Sequence, residues 1–125
     1  MFIRCQICQI RIWNHIEQVK ISNRPVDNTS SRITGLDPAG PLFEQTTSAV
    51  RIDRSDCSFV DIIHTNGGNE DDGFLGINAA VGHADYYPNG GHKQPKCNNN
   101  FVCSHGEAPW IWIDSGNRNI TCMNR

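Results

Sequence analysis

Two residues in this chain have the types and setting for proton-transfer chemistry, Asp37 and His105. Asp37 stands in Gly35-Leu36-Asp37-Pro38, just past a segment, Arg32 to Leu36, that reads as a short strand ended by Pro38. Functional side chains in open α/β sheets gather beyond the carboxyl ends of strands. His105 follows Cys103-Ser104, where Ser104-His105-Gly106-Glu107 matches a capping box and predicts a helix start. A carboxylate that fixes the tautomer of an imidazole, with that imidazole as general base, is the acid–base half of a serine hydrolase. Chemistry alone does not single out this pair. Thirteen acids and five histidines offer many others.

Other residues permit weaker readings. Asp53 and Asp56, three apart in a polar stretch, could share a hard cation through carboxylate oxygens. His83, Asp85 and His92 contain metal-binding types, but their spacing shows no zinc-site geometry. His64 ends the Phe59–Thr65 strand candidate and His83 begins the next. Both read as satisfied histidines that place backbone or bridge strands. Cys5-Gln6-Ile7-Cys8 is a lone CxxC with no second pair around it, which argues against zinc or redox chemistry. Cys57 reads as a buried thiol.

The elements that must position these groups follow from the pattern. Phe59 to Thr65 is rich in β-branched residues and bounded by Asn66-Gly67-Gly68, so it predicts a buried strand. Ala79 to Tyr87 predicts another, ended by Pro88-Asn89-Gly90-Gly91. Ile7, Ile10, Ile12, Trp13, Ile16 and Val19 recur at spacings of three and four, which predicts a helix within residues 1–24. Residues 25–31 read as a loop. Pro109 sits awkwardly if a helix begins at Ser104, while Trp110, Ile111 and Ile113 supply an apolar face. Strands alternating with turns and helices predict part of an α/β sheet.

Composition bounds the function. A net charge of -2 gives no electrostatic basis for nucleic-acid binding. No apolar run reaches membrane-spanning length. Six cysteines in 125 residues predict an oxidising, secreted setting. The sequons at Asn28 and Asn119 agree with it. Arg4, Gln6, Gln9 and Arg11 interrupt the apolar core that a signal peptide needs.

Four ordered blocks carry a resemblance: ITGLDPAGPLF (Ile33–Phe43), RIDRSDCSFVDIIHTNGG (Arg51–Gly68), GHADYYPNGG (Gly82–Gly91) and CSHGEAPWIWIDS (Cys103–Ser115). Together, from about Arg32 to Cys122, they resemble the pancreatic lipase family, which includes secreted phospholipases A1 and yolk-protein relatives. The resemblance implies a partial α/β-hydrolase fold with Asp37 as triad acid and His105 as triad base. The order acid then histidine matches that fold's Ser…Asp…His order. The nucleophile would stand earlier, in a Gly-x-Ser-x-Gly elbow, and no such motif occurs in the chain. The expectation is therefore a lead of uncertain origin over residues 1–31, then the C-terminal part of a lipase catalytic domain over residues 32–125. Such a piece, lacking the nucleophile, would be inactive alone, with an exposed sheet edge where upstream strands belong.

The resemblance further implies that Cys97 and Cys103 pair and bracket a lid, here only Asn98 to Val102, with Phe101 and Val102 placed to touch acyl chains. A lid this short looks like a phospholipase A1 or an open esterase rather than a triacylglycerol lipase. No cofactor is required. The Arg51–Asp56 stretch resembles the family's calcium loop, with Asp53 and Asp56 giving side-chain oxygens and Ser48 and Arg51 giving carbonyls. Cys122 resembles a cysteine that pairs further downstream. The expected partner is a lipid or phospholipid ester at a lipid–water interface, acted on outside the cell. The other reading is a catalytically silent lipase-fold protein that binds or stores lipid, but such a protein has no need to keep both Asp37 and His105.

Overall fold

A computed structural model describes residues 2–5 and 11–12, as strand backbone, and residues 32–117. Five strands form one sheet: β1 (Phe2–Cys5), β2 (Arg11–Ile12), β3 (Arg32–Leu36), β4 (Phe59–Ile63) and β5 (Ala84–Tyr86). Their spatial order is β2-β1-β3-β4-β5. β3, β4 and β5 run parallel, while β1 is antiparallel to both β3 and β2. Two helices follow, α1 (Phe101–Gly106) and α2 (Ala108–Asn117).

β3 and β4 are buried over four of their five residues, as central parallel strands must be when both faces are covered. The register pairs Ile33 with Val60 and Gly35 with Ile62 on one face. That face joins Ile52, Cys57, Ile77 and Val81 in the larger core cluster. A Cβ at Gly35 would stand 2.6 Å from Ile62 Cδ1, so any larger residue there would make the buried Ile62 side chain shift. On the other face Leu36 and Ile63 meet Ala108 of α2, with Ile111 and Trp112 packed alongside. The same face carries a polar ladder: Arg32 donates through Nε and Nη2 to the Asp61 carboxylate at 3.0 and 2.7 Å, and Thr34 Oγ1 donates to it at 3.0 Å. The buried Asp61 charge is thereby both paired and hydrogen-bonded.

Four expectations need correction. The described parts of residues 1–24 are strands β1 and β2, not helix. The open edge of β3 offers unpaired backbone groups, and β1 takes them, so tertiary pairing overrides a loose helical spacing. For the same reason the far side of β3 is not a bare edge. The rest of that expected helix lies outside the described residues. The strand expected over Ala79–Tyr87 contracts to Ala84–Tyr86. The amides of Val81 and Gly82 bond the Asp85 carboxylate, and those of Asn78 and Ala79 bond Glu44 Oε1, so none joins the ladder.

The helix expected at Ser104 starts instead at Phe101. Asn100 caps it by accepting from Cys103 N at 2.8 Å, while the Ser104 hydroxyl accepts from Gln94 N at 3.0 Å. Pro109 falls in the first turn of the separate helix α2, where a missing N–H costs nothing.

Ile62 is wholly buried at the centre of the larger cluster. Ile62→Ala is expected to destabilise the fold by about 2–5 kcal/mol, read from the denaturant midpoint.

Candidate active site

Asp37 leaves the end of β3 in a left-handed backbone conformation, φ +47°. Aspartate tolerates this region better than most residues. Its amide still donates to Ile63 O at 2.8 Å, so the backbone continues the β3–β4 ladder while the side chain turns across the end of β4. There Oδ1 accepts from the amides of Thr65, at 2.7 Å, and Asn66, at 3.0 Å. Oδ2 faces His105 Nδ1 at 2.6 Å. The Asp37 side chain is 0% exposed and that of His105 5%. The two residues the sequence singled out, 68 positions apart, are thus brought together.

A carboxylate is acceptor-only, so the shared hydrogen sits on Nδ1 and leaves Nε2 as the basic nitrogen of the ring. Three N–H donors thus converge on one carboxylate that bulk water does not reach. An imidazole so held can take a proton at Nε2, with the developing positive charge stabilised by Asp37.

The surroundings fix both partners. Gly76 closes over the carboxylate, and a Cβ there would lie 2.4 Å from Asp37 Oδ1. Gly76 N donates to Asn66 O at 2.9 Å, and Leu75 N donates to Asn66 Oδ1 at 3.0 Å. Asn66 Nδ2 donates to His92 O at 2.7 Å. His92 in turn bonds Gly67 O through Nδ1.

Gln94, buried, ties α1 to the same place. Its Nε2 donates to Thr65 O at 2.9 Å and Pro88 O at 3.1 Å, while its amide reaches Ser104. Asn89 Nδ2 donates to Gln94 Oε1 at 2.9 Å. Sequence reasoning passed over Asn66, Gly76, Gln94 and Ser104 as site residues. The Asn66-Gly67-Gly68 turn signal marked the place but not the role, and Gln94 carries no signal at all.

Cys97 and Cys103 form the disulfide the resemblance implied, with Cα atoms 5.5 Å apart. It covers the start of α1 immediately ahead of His105. Phe101 packs edge-to-face on Phe74, centroids 4.9 Å apart, and Lys93 Nζ lies 5.4 Å from its ring centre. Val102 is 60% exposed. Of the two side chains expected to meet acyl groups, one is therefore engaged within the protein and one faces outward.

At the expected calcium loop, Asp53 caps a short 3-10 turn, Arg54–Asp56. Its Oδ1 accepts from Ser55 N at 3.0 Å, and its own amide donates to Asp56 Oδ2 at 2.9 Å. Arg51 Nη1 lies 3.8 Å from Asp53 Oδ2. Burial pushes the Asp53 carboxyl up, but hydrogen bonds from Ser55 and the charges of Arg51 and Arg54 outweigh it, leaving it below its ordinary 3.8. Ser48 lies in the turn before.

His83, Asp85 and His92 do not converge. His83 Nδ1 accepts from Val60 N at 3.0 Å, and Asp85 faces His64. Among the described residues, three possible ligating side chains cluster only at Cys97, Cys103 and Glu107, where the disulfide occupies both sulfurs. Cys57 is a buried thiol in the larger core cluster. Cys5 lies in β1. Cys8, Cys122, Asn28 and Asn119 lie outside the described residues.

Gly76→Ala is expected to drive the Asp37 carboxylate off its place and weaken the bond to His105. The measurement is the low-field proton resonance of the shared Nδ1–H, which should broaden or vanish in the variant.

Comparison with known proteins places the chain in a family. The lipase family model matches residues 20–125. Human pancreatic triacylglycerol lipase is 42% identical over 105 residues, covering 82% of this chain and 22% of that protein. The pig enzyme of the same name is 41% identical over 105 residues, covering 82% and 23%. Bovine pancreatic lipase-related protein 2 is 45% identical over 92 residues, covering 73% and 20%. The chain spans about a fifth of the length of these relatives. Its parallel β3-β4-β5 sheet with a helix on one face is consistent with a portion of the α/β-hydrolase fold of that family. The chain belongs to the pancreatic lipase family.

Proposed function

We propose that this chain supplies the acid and the base of a carboxylic ester hydrolase acting on lipid esters. The buried bond from His105 Nδ1 to Asp37 Oδ2 carries the reading. In the proposed reaction a serine hydroxyl attacks the acyl carbonyl while His105 Nε2 takes its proton. The ring then returns that proton to the departing alcohol. Water repeats the cycle to release the fatty acid, and Asp37 stabilises each imidazolium.

No serine of the 125 residues sits in a Gly-x-Ser-x-Gly elbow, so the nucleophile and its oxyanion donors come from outside this stretch. The stretch alone is then inactive. The named activity of its relatives, triacylglycerol lipase, supports lipid esters as the substrate class. Five residues inside the Cys97–Cys103 loop make a poor cover for a wide apolar cleft, which favours a phospholipase A1 type over a lipase that opens at oil. The disulfide supports a secreted, extracellular setting. No described helix is long and apolar enough to cross a membrane.

A calcium ion at the Asp53–Asp56 turn belongs to the same proposal. The fit is partial. Asp53 Oδ2 points to Arg51 rather than to a backbone amide, and the Asp53 carboxyl ionises readily. The Asp56 carboxylate and the carbonyls of Ser48 and Arg51 would complete an oxygen set. The ion would be structural and take no part in the reaction.

In the full-length protein, Asp37→Asn and His105→Ala should each lower kcat on a phospholipid or neutral lipid ester by roughly 10^3–10^4-fold. Residues 1–125 alone should show no turnover, and robust turnover blocked by a serine-directed inhibitor would refute the missing-nucleophile reading. Calcium, and not magnesium, should raise the melting temperature of the full-length protein. Asp53→Asn keeps the cap and should remove that rise.

A further inference from the structure

A second buried carboxylate–imidazole pair lies outside the site just described. His64, at the end of β4, is 0% exposed. Its Nδ1 is 2.8 Å from Ile77 O, and its Nε2 is 2.9 Å from Asp85 Oδ1. A carbonyl oxygen only accepts, so Nδ1 must carry hydrogen. Asp85 Oδ1 also takes the amides of Val81, at 3.1 Å, and Gly82, at 3.3 Å. Asp85 Oδ2 faces Gly82 N at 3.1 Å. Oδ1, the oxygen that faces the ring, already accepts two amides and has no proton to give, so Nε2 must donate to it as well. The ring then carries hydrogen on both nitrogens and is a cation.

Its face stacks on Tyr87, with centroids 4.3 Å apart and planes within 4°. An aromatic face is a favourable seat for a desolvated cation. The titratable groups packed against the ring are Asp85 from β5 and Tyr87 just beyond it. Glu44 holds the adjoining Asn78 and Ala79 amides.

The cation's second bond falls on the segment that walls the triad acid. Ile77, whose carbonyl His64 holds, donates its own amide to Pro38 O at 2.7 Å. The residue before it is Gly76, which lies against the Asp37 carboxylate. We propose that His64 and Asp85 form a buried imidazolium–carboxylate pair that holds the Gly76–Ile77 backbone over Asp37, which makes His64 a positioning residue for the reaction. This rests on the triad reading of Asp37 and His105. Keeping the backbone there keeps water from the acid, and water would screen its hold on the His105 imidazolium.

The full-length protein, labelled with 15N at histidine, tests the charge directly. The His64 ring should show hydrogen on both nitrogens at neutral pH, and a neutral ring overturns the proposal. His64→Phe keeps the stack on Tyr87 but frees Ile77 O. In it kcat should fall roughly 10- to 100-fold with KM little changed. The acidic limb of the pH–rate profile should also move to lower pH. If that variant does not fold, Asp85→Asn serves, since it removes the counter-charge while keeping size and one acceptor oxygen.

A folded variant with a lowered melting temperature but unchanged kcat and pH profile would show a merely structural pair and overturn the proposal. If neither variant folds, the ring protonation of the wild-type protein decides the ion pair on which the proposal stands. Asp37→Asn separates the two readings. Full activity in Asp37→Asn sinks the triad while leaving the His64 ring spectrum unaffected.

Discussion

The structure is organised by the need to keep one carboxylate charged without water. Asp37 lies wholly inside the protein, and an ion in that position is costly unless every lone pair is met. Its donors come from two directions. Two are successive amides where β4 runs out, and the third is an imidazole on α1, far along the chain. The loop after β4, the glycine wall at Gly76 and the placement of α1 can all be understood as meeting that demand. A helix that drifted would strand a buried carboxylate, so Asp37 specifies where His105 must be.

The sheet makes the demand satisfiable. Parallel pairing of β3 with β4 ends both strands on one side, so the residue after β3 sits beside the amides after β4. The left-handed turn at Asp37 then points the side chain across rather than outward. Core packing serves the same end from both faces. One cluster presses Ile77, and with it Gly76, toward the acid. The other seats α2 on Leu36 and Ile63 and so braces the helix pair that holds His105. The disulfide and the buried Gln94 tie α1 to the same place.

Much of this was legible in the sequence, in proportion to how local its causes are. β3 and β4 announced themselves, because β-branched runs bounded by Asp-Pro and Asn-Gly-Gly have few other uses. The Asp37–His105 contact was not readable from chemistry, and the four-block resemblance chose it. The misread elements share a cause. Ser104 matched a cap, but its hydroxyl serves Gln94 instead. Ala79–Tyr87 runs up to a turn signal like a strand, but Asp85 and Glu44 draw off amides at its start. The spacing within residues 1–24 looked helical, but the edge of β3 recruits β1, which pairs in turn with β2. Asn66 and Gln94 act through bonds to backbone atoms distant in sequence, which leave no trace in residue type or spacing.

The glycine against the acid has an evolutionary consequence. With Gly76 touching the carboxylate and the backbone pinned by the ladder, the side chain at position 37 has one permitted length. A glutamate adds a methylene, about 1.5 Å of reach, with nowhere to go. Exchange between the two acidic amino acids, conservative in most alignments, is closed at this position.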